Sequence, residues 1–275
     1  MKIEYVPLLG IQRDLYRQPI SMERFQNYLG LLHPPGQFLQ YPPLALVNPM
    51  AKAHVLQRVD GLIALDADGV AQDALAGLSG FFPEIEKDFK IALVVADDSQ
   101  GGWTNRFDCE FNLRQGTFPV PIGGELPRWL NHWWLAGILW SSESVSVQNI
   151  REAILASVYR AAYIHNHGPA QTLGELLSQE GQVMASAGCL GPVLETDDIQ
   201  YTCEVLVPFL EAKDKRTIME CMFGDEGGRT LGFTPKGLSP WAGLAWALHE
   251  AKSKPVHEKG KVPQRSLGKG KPDKG

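Results

Sequence analysis

The stretch VVADDSQGGWTNR, residues 94–106, runs from an apolar segment into a dense set of groups able to do chemistry. Asp97 and Asp98 stand where the apolar run stops, and ligands in open sheets bind where strands end. Gly101 and Gly102 allow a backbone to approach a ligand closely. Trp103, Asn105 and Arg106 then offer a flat apolar face, a donor–acceptor pair and a planar cation. Two adjacent carboxylates suit a divalent cation such as Mg²⁺, one bound directly and one through water, and either can instead take a proton. The competing reading is a turn, since Asp-Asp-Ser-Gln-Gly-Gly is good turn chemistry and Arg106 can simply pair with an aspartate.

Two further places carry unexpected polarity. A second apolar run ends in Ser141-Ser142-Glu143. If the two runs are parallel strands, Glu143 converges on Asp98; if antiparallel, the two ends lie far apart. The simpler reading gives Ser142, Ser144 and Ser146 to the cap of a following helix. Further on, an apolar stripe runs Leu173, Leu176, Leu177, then Glu180, then Val183, Met184 and Ala187. A carboxylate on that face needs a partner or its pKa rises. His165, seven residues beyond Val158 on the preceding helix, is the expected partner. Together they form a candidate general acid–base couple, weighed against a buried hydrogen bond that merely ties two helices. The candidate set is therefore Asp98, His165 and Glu180 for catalysis, with Asp97, Trp103, Asn105 and Arg106 for ligand binding.

Familiar machinery is missing. No G-x-G-x-x-G follows a strand, so a dinucleotide cofactor has no motif here. Gly232 to Ser239 has the glycine spacing of a phosphate loop, but Leu238 stands where the lysine must be. His249-Glu250 begins like a zinc-protease helix, but Ser253 replaces the second histidine. There is no G-x-S-x-G nucleophile elbow.

The elements that must position these residues can be sketched from periodicity. FKIALVVADD (89–98) and HWWLAGILWSSE (132–143) read as strands covered on both faces. Residues 21–32 read as a helix capped by Ser21, with Met22, Phe25, Leu29 and Leu32 inward. Asn48 and Pro49 should open another, with Val55, Val59, Leu62 and Ile63 inward, and one more is expected near 70–79. A long helix should run from Ser146 to Gly168-Pro169, and Thr172 to Glu175 is a capping box. Later helices are expected at 197–211, 216–223 and 240–251, with loops or one strand across 101–131. The expected fold is α/β or α+β: a small central sheet between N-terminal helices and a C-terminal helical layer, forming one domain over 1–252.

Composition bounds the function. The 275 residues are 44% apolar and 21% charged, as in a globular protein. The net charge of −5 divides into +6 on residues 252–275 and −11 on the rest. An acidic body argues against nucleic-acid binding, and the Lys/Gly/Pro-rich tail 253–275 is expected to be disordered. Glu4 and Pro7 interrupt any signal peptide, no apolar run spans a bilayer, and four dispersed cysteines suggest a reducing cytoplasm. Two function classes remain. One is an enzyme performing hydrolysis or proton transfer on a small polar or anionic substrate at the end of the 89–98 strand. The other is a non-catalytic accessory or assembly protein working through protein contacts.

Overall fold

A computed structural model describes residues 1–35, 39–78, 80–82, 84–99, 104–119 and 132–253. Ser253, the first residue of the expected tail, is helical; residues 254–275, Gly101, Gly102 and Trp103 lie outside the described residues. The sheet holds β1 (Lys2–Tyr5), β2 (Asp88–Ala96) and β3 (Trp133–Trp140) in the order β1-β2-β3, all parallel. Register runs from Phe89 opposite Trp133 to Ala96 opposite Trp140, so β2 and β3 end at the same level. β2 and β3 are apolar along nearly their whole length because helices cover both faces. β1 alternates half-buried and exposed residues at the sheet edge, which left no long apolar run in the sequence.

The N-terminal helices are α1 (Leu9–Arg17), α2 (Met22–Leu32), α3 (Ala53–Ala64) and α4 (Ala67–Ala76), with α5 (Arg106–Arg114) between β2 and β3. After β3 come α6 (Val147–His167), α7 (Leu173–Ala187), α8 (Thr196–Leu206), α9 (Lys215–Thr230) and α10 (Ala242–Ser253). The architecture is the α/β one expected: N-terminal helices, a small sheet, then a C-terminal helical layer. The apolar interior forms one cluster around the sheet and a second among α7, α9 and α10, with Leu155 and Tyr159 of α6 packing against both.

Several caps match their sequence signals. Ser21 accepts from the Arg24 N–H at 3.2 Å, Ser146 from Asn149 at 3.0 Å, and Thr172 from Glu175 at 3.2 Å. Two expectations fail locally. α2 is rotated, so Met22 is 66% exposed while Arg24 and Tyr28 turn inward. Arg24 is tolerated there because it donates to the carbonyls of Gln18 and Ala51 and lies over the Tyr16 ring. α3 begins at Ala53 rather than at Pro49, because the Asn48 side chain closes a turn onto the Met50 N–H. Among the described residues no helix is long and apolar enough to cross a membrane, and all four cysteines are free.

Candidate functional site

Because β2 and β3 are parallel and in register, the two polar strand ends meet. The Ser141 N–H donates to the Ala96 carbonyl at 2.9 Å, carrying the ladder one step past β3. Successive side chains of β2 then diverge. Asp97 turns toward α3, is nearly fully buried, and accepts from His54 Nε2 at 2.9 Å, Ser141 Oγ at 3.1 Å and the Ser99 N–H at 3.3 Å. Burial works to raise its pKa, but the His54 hydrogen bond and the other donors hold the carboxyl below its ordinary value. One turn further along α3, Arg58 donates to the Ser141 carbonyl at 2.8 Å.

Asp98 turns the other way. It accepts from Ser142 Oγ at 2.8 Å, the Ser142 N–H at 3.0 Å and Arg106 Nη1 at 3.1 Å. Arg106 also donates to Ser142 Oγ and, through Nη2, to Glu143. Its guanidinium lies 5.1 Å from the Trp140 ring centroid and 5.0 Å from that of Trp241. Glu143 is pushed above the ordinary glutamate value, since burial outweighs the pull of Arg106.

Arg106 and Glu143 form one wall of an open cavity of about 450 Å³ between β3, α5, α6, α10 and the α7–α8 connection. Deeper in the same wall is a second ion network. Arg160 of α6 grips Glu180 of α7 through Nε and Nη2, each at 2.8 Å. Arg114 of α5 places Nε 3.2 Å from Glu180 and pairs with Glu110 one turn back. Glu110 also accepts from the Trp140 indole N–H at 2.6 Å. Burial opposes ionisation of both glutamates, yet the arginines overcome it: Arg160 and Arg114 hold Glu180, and Arg114 and Arg106 hold Glu110, below the ordinary value. The Nε atoms of Arg106 and Arg114 are buried without a hydrogen-bond acceptor among the described residues.

The geometry revises several assignments. Glu180 is buried and partnered, but by Arg160 rather than His165. His165 is exposed, because α6 outruns the layer packed on it and its buried face passes through Ala161 and Ile164. No acid–base couple exists between them. Asn105 is the N-cap of α5, accepting from the Asp108 N–H at 3.0 Å, and it is exposed. Asp97 and Asp98 face apart: their oxygens meet His54, serines and Arg106, and among the described residues no group of three or more His, Cys, Asp or Glu side chains is placed to hold a metal ion. The simpler reading of the second strand end was incomplete. Ser146 does cap α6, but Ser142 holds Asp98, and Glu143 reaches the same arginine as Asp98.

Sequence reasoning missed His54, Glu110, Arg114 and Arg160. Glu110 and Arg114 carried a signal, the i,i+4 spacing of an ion pair, but α5 itself was not expected. Arg160 was signalled indirectly, since the carboxylate in the α7 stripe required a cation on the neighbouring helix. His54 carried none, its partner being 43 residues away.

No protein-family model matches the chain, and no solved structure matches it. The protein of Bacillus subtilis (strain 168) described as "Uncharacterized protein YjfC" is 32% identical over 103 residues. That similarity takes in 34% of this chain and 34% of the relative, so the chain spans about a third of the length of the protein it resembles.

Proposed function

We propose that the protein is a soluble cytoplasmic enzyme acting on a small polar molecule in the cavity beside β3, by hydrolysis or proton transfer. Glu143 is the acid–base group, and Arg106 fixes its carboxyl while Asp98 holds Arg106. His165 has no part in this reading, and Glu180 contributes by orienting Arg160. The observation that carries it is Glu143 itself. It sits on a cavity wall at the carboxyl ends of two parallel strands, its pKa is raised, and an arginine between two tryptophans grips it. A carboxyl with a raised pKa is better matched to proton transfer near neutrality than an ordinary one. Free, buried thiols at Cys109, Cys189 and Cys221 support a reducing compartment.

The test is a thermal-shift screen of small polar metabolites on the wild-type chain and on Ala156→Phe, which fills the cavity from α6. Compounds that stabilise the wild type should lose their effect in Ala156→Phe, and Glu143→Gln should abolish any turnover of them while retaining binding. A screen in which no stabilising compound depends on Ala156 would sink the proposal. One observation favours the accessory-protein reading. Leu190 and Val193, on the connection beside the cavity, are 68% and 75% exposed, as a contact surface for another chain would be.

A further inference from the structure

The charged groups around the cavity are paired, and the donors and acceptors their partners leave over indicate what kind of ligand it takes. Among the described residues, the guanidiniums of Arg106, Arg114 and Arg160 and the carboxylates of Glu110, Glu143 and Glu152 line it. Directly behind them, Asp98 and Glu180 each pair with one of those arginines. The carboxylates of this set outnumber the guanidiniums by two. A bare anion such as phosphate therefore enters an excess of negative charge, although three arginines face it.

The two ends of the cavity differ. Arg114 and Arg160 are nine-tenths buried. Arg160 engages Glu180 through Nε and Nη2, and no partner for Nη1 is found among the described residues. Arg114 Nε is buried without an acceptor, its contact with Glu180 being misdirected for a hydrogen bond. A buried guanidinium donor without an acceptor, as Arg114 Nε is, is costly unless something supplies an oxygen. At the mouth the polarity reverses. Glu143 is 37% exposed, and among the described residues only one of its oxygens is engaged, by Arg106. Among the same residues Glu152 uses only Oε1, which accepts from Gln148 Nε2 at 2.7 Å and the Leu190 N–H at 2.9 Å. The lining also includes the apolar side chains of Trp140, Trp241, Leu113 and Met184.

Resting on the reading of this cavity as the ligand site, we infer that its ligand is a small zwitterion of the amino-acid or dipeptide class. The carboxylate lies inward at Arg114 and Arg160, the ammonium group lies at the mouth between Glu143 and Glu152, and an apolar side chain lies against the tryptophan wall. Each charge of such a ligand meets its opposite, and the ammonium offsets the negative excess that repels a simple anion. A cavity of about 450 Å³ lies in the range of small-molecule sites and leaves no room for a long peptide.

The experiment deletes one ligand charge at a time. Calorimetric titration of the full chain would compare L-leucine and L-leucyl-L-leucine with isocaproate, which lacks the ammonium, isoamylamine, which lacks the carboxylate, and inorganic phosphate. At least one zwitterion should bind about tenfold or more tighter than either singly charged analogue. The Glu143→Gln/Glu152→Gln double variant should lose that advantage, and isocaproate should bind it no more weakly than the wild type, because two negative charges at the mouth are gone. Both residues are at the mouth, and matching thermal melts would verify that the variant folds. Equal binding of isoamylamine, tighter binding of isocaproate or phosphate, or no binding by any of the five would overturn the inference. If isocaproate or phosphate binds and Ala156→Phe removes that binding, the cavity remains a ligand site and only the zwitterion falls. If none binds, the metabolite screen on the wild type and Ala156→Phe decides separately whether the cavity is a site at all.

Discussion

Replacing Glu180 with glutamine keeps the shape of the side chain and removes its charge. In the native protein its two oxygens receive two 2.8 Å hydrogen bonds from Arg160, one at 3.0 Å from Gln179, and the close approach of Arg114 Nε. Glutamine keeps one acceptor oxygen but presents an NH₂ to guanidinium donors, so at least one charge-assisted bond is replaced by a donor–donor contact. Both arginines stay nine-tenths buried and lose the carboxylate they share. Breaking such a buried pair from one side costs roughly 3–5 kcal/mol. For a chain of this size that lowers the melting temperature by about 10 °C. Urea unfolding of Glu180→Gln should therefore move the midpoint strongly with little change in slope. His165→Asn should stay within ~0.5 kcal/mol of wild type, because His165 is exposed and distant from the network. Arg160→Met/Glu180→Gln should cost clearly less than the sum of its two single changes, so the cycle is strongly non-additive. A cost below ~1 kcal/mol for Glu180→Gln, or additivity with Arg160→Met, would refute the claim that this pair is a buried, mutually dependent unit.

Acid should destabilise the protein through Glu180, Glu110 and Asp97. Their folded-state pKa values are lowered, so the stability they contribute is present above the unfolded values, roughly pH 4, and is lost as pH falls through the folded ones. Glu143 has the opposite sign: its raised pKa means that ionisation disfavours the fold as pH rises. Glu143→Gln should thus melt no lower than wild type at pH 7, and a clear loss there would contradict the raised value. Gly181→Ala is predicted to be severe. A Cβ at that position of α7 would lie 2.4 Å from the Ala247 carbonyl oxygen of α10, where backbone meets backbone, so overpacking should cost about 1–3 kcal/mol or more. A melt within a degree of wild type would mean that α7 and α10 can separate freely.

What the sequence made legible follows from the range of its signals. Caps and turns act over three or four residues, so Ser21, Ser146 and Thr172 announced their helices directly. Long apolar runs marked β2 and β3, while four-residue β1 was too short and too alternating to stand out. Much of the site joins partners far apart in the chain, 20 residues for Arg160 with Glu180 and 44 for Ser141 with Asp97, and neither periodicity nor spacing encodes those. Glu180 could be recognised as needing a partner, yet the choice between Arg160 and His165 depended on where α6 leaves the packed layer. Asp98, Arg106 and Glu143 could be placed together only once the strands were known to be parallel.

Ser141 has one consequence for how the two sides of the strand ends communicate. Its hydroxyl oxygen lies 3.1 Å from Asp97 and 3.2 Å from Asp98, but it carries a single hydrogen. Only one aspartate can receive it at a time. Asp97 leads to His54 on α3, and Asp98 leads through Arg106 to Glu143 and the cavity. Whatever changes how strongly Asp97 attracts that hydrogen also decides whether Asp98 keeps it. The rotor of one serine thus makes the α3 face and the cavity wall compete for the same hydrogen.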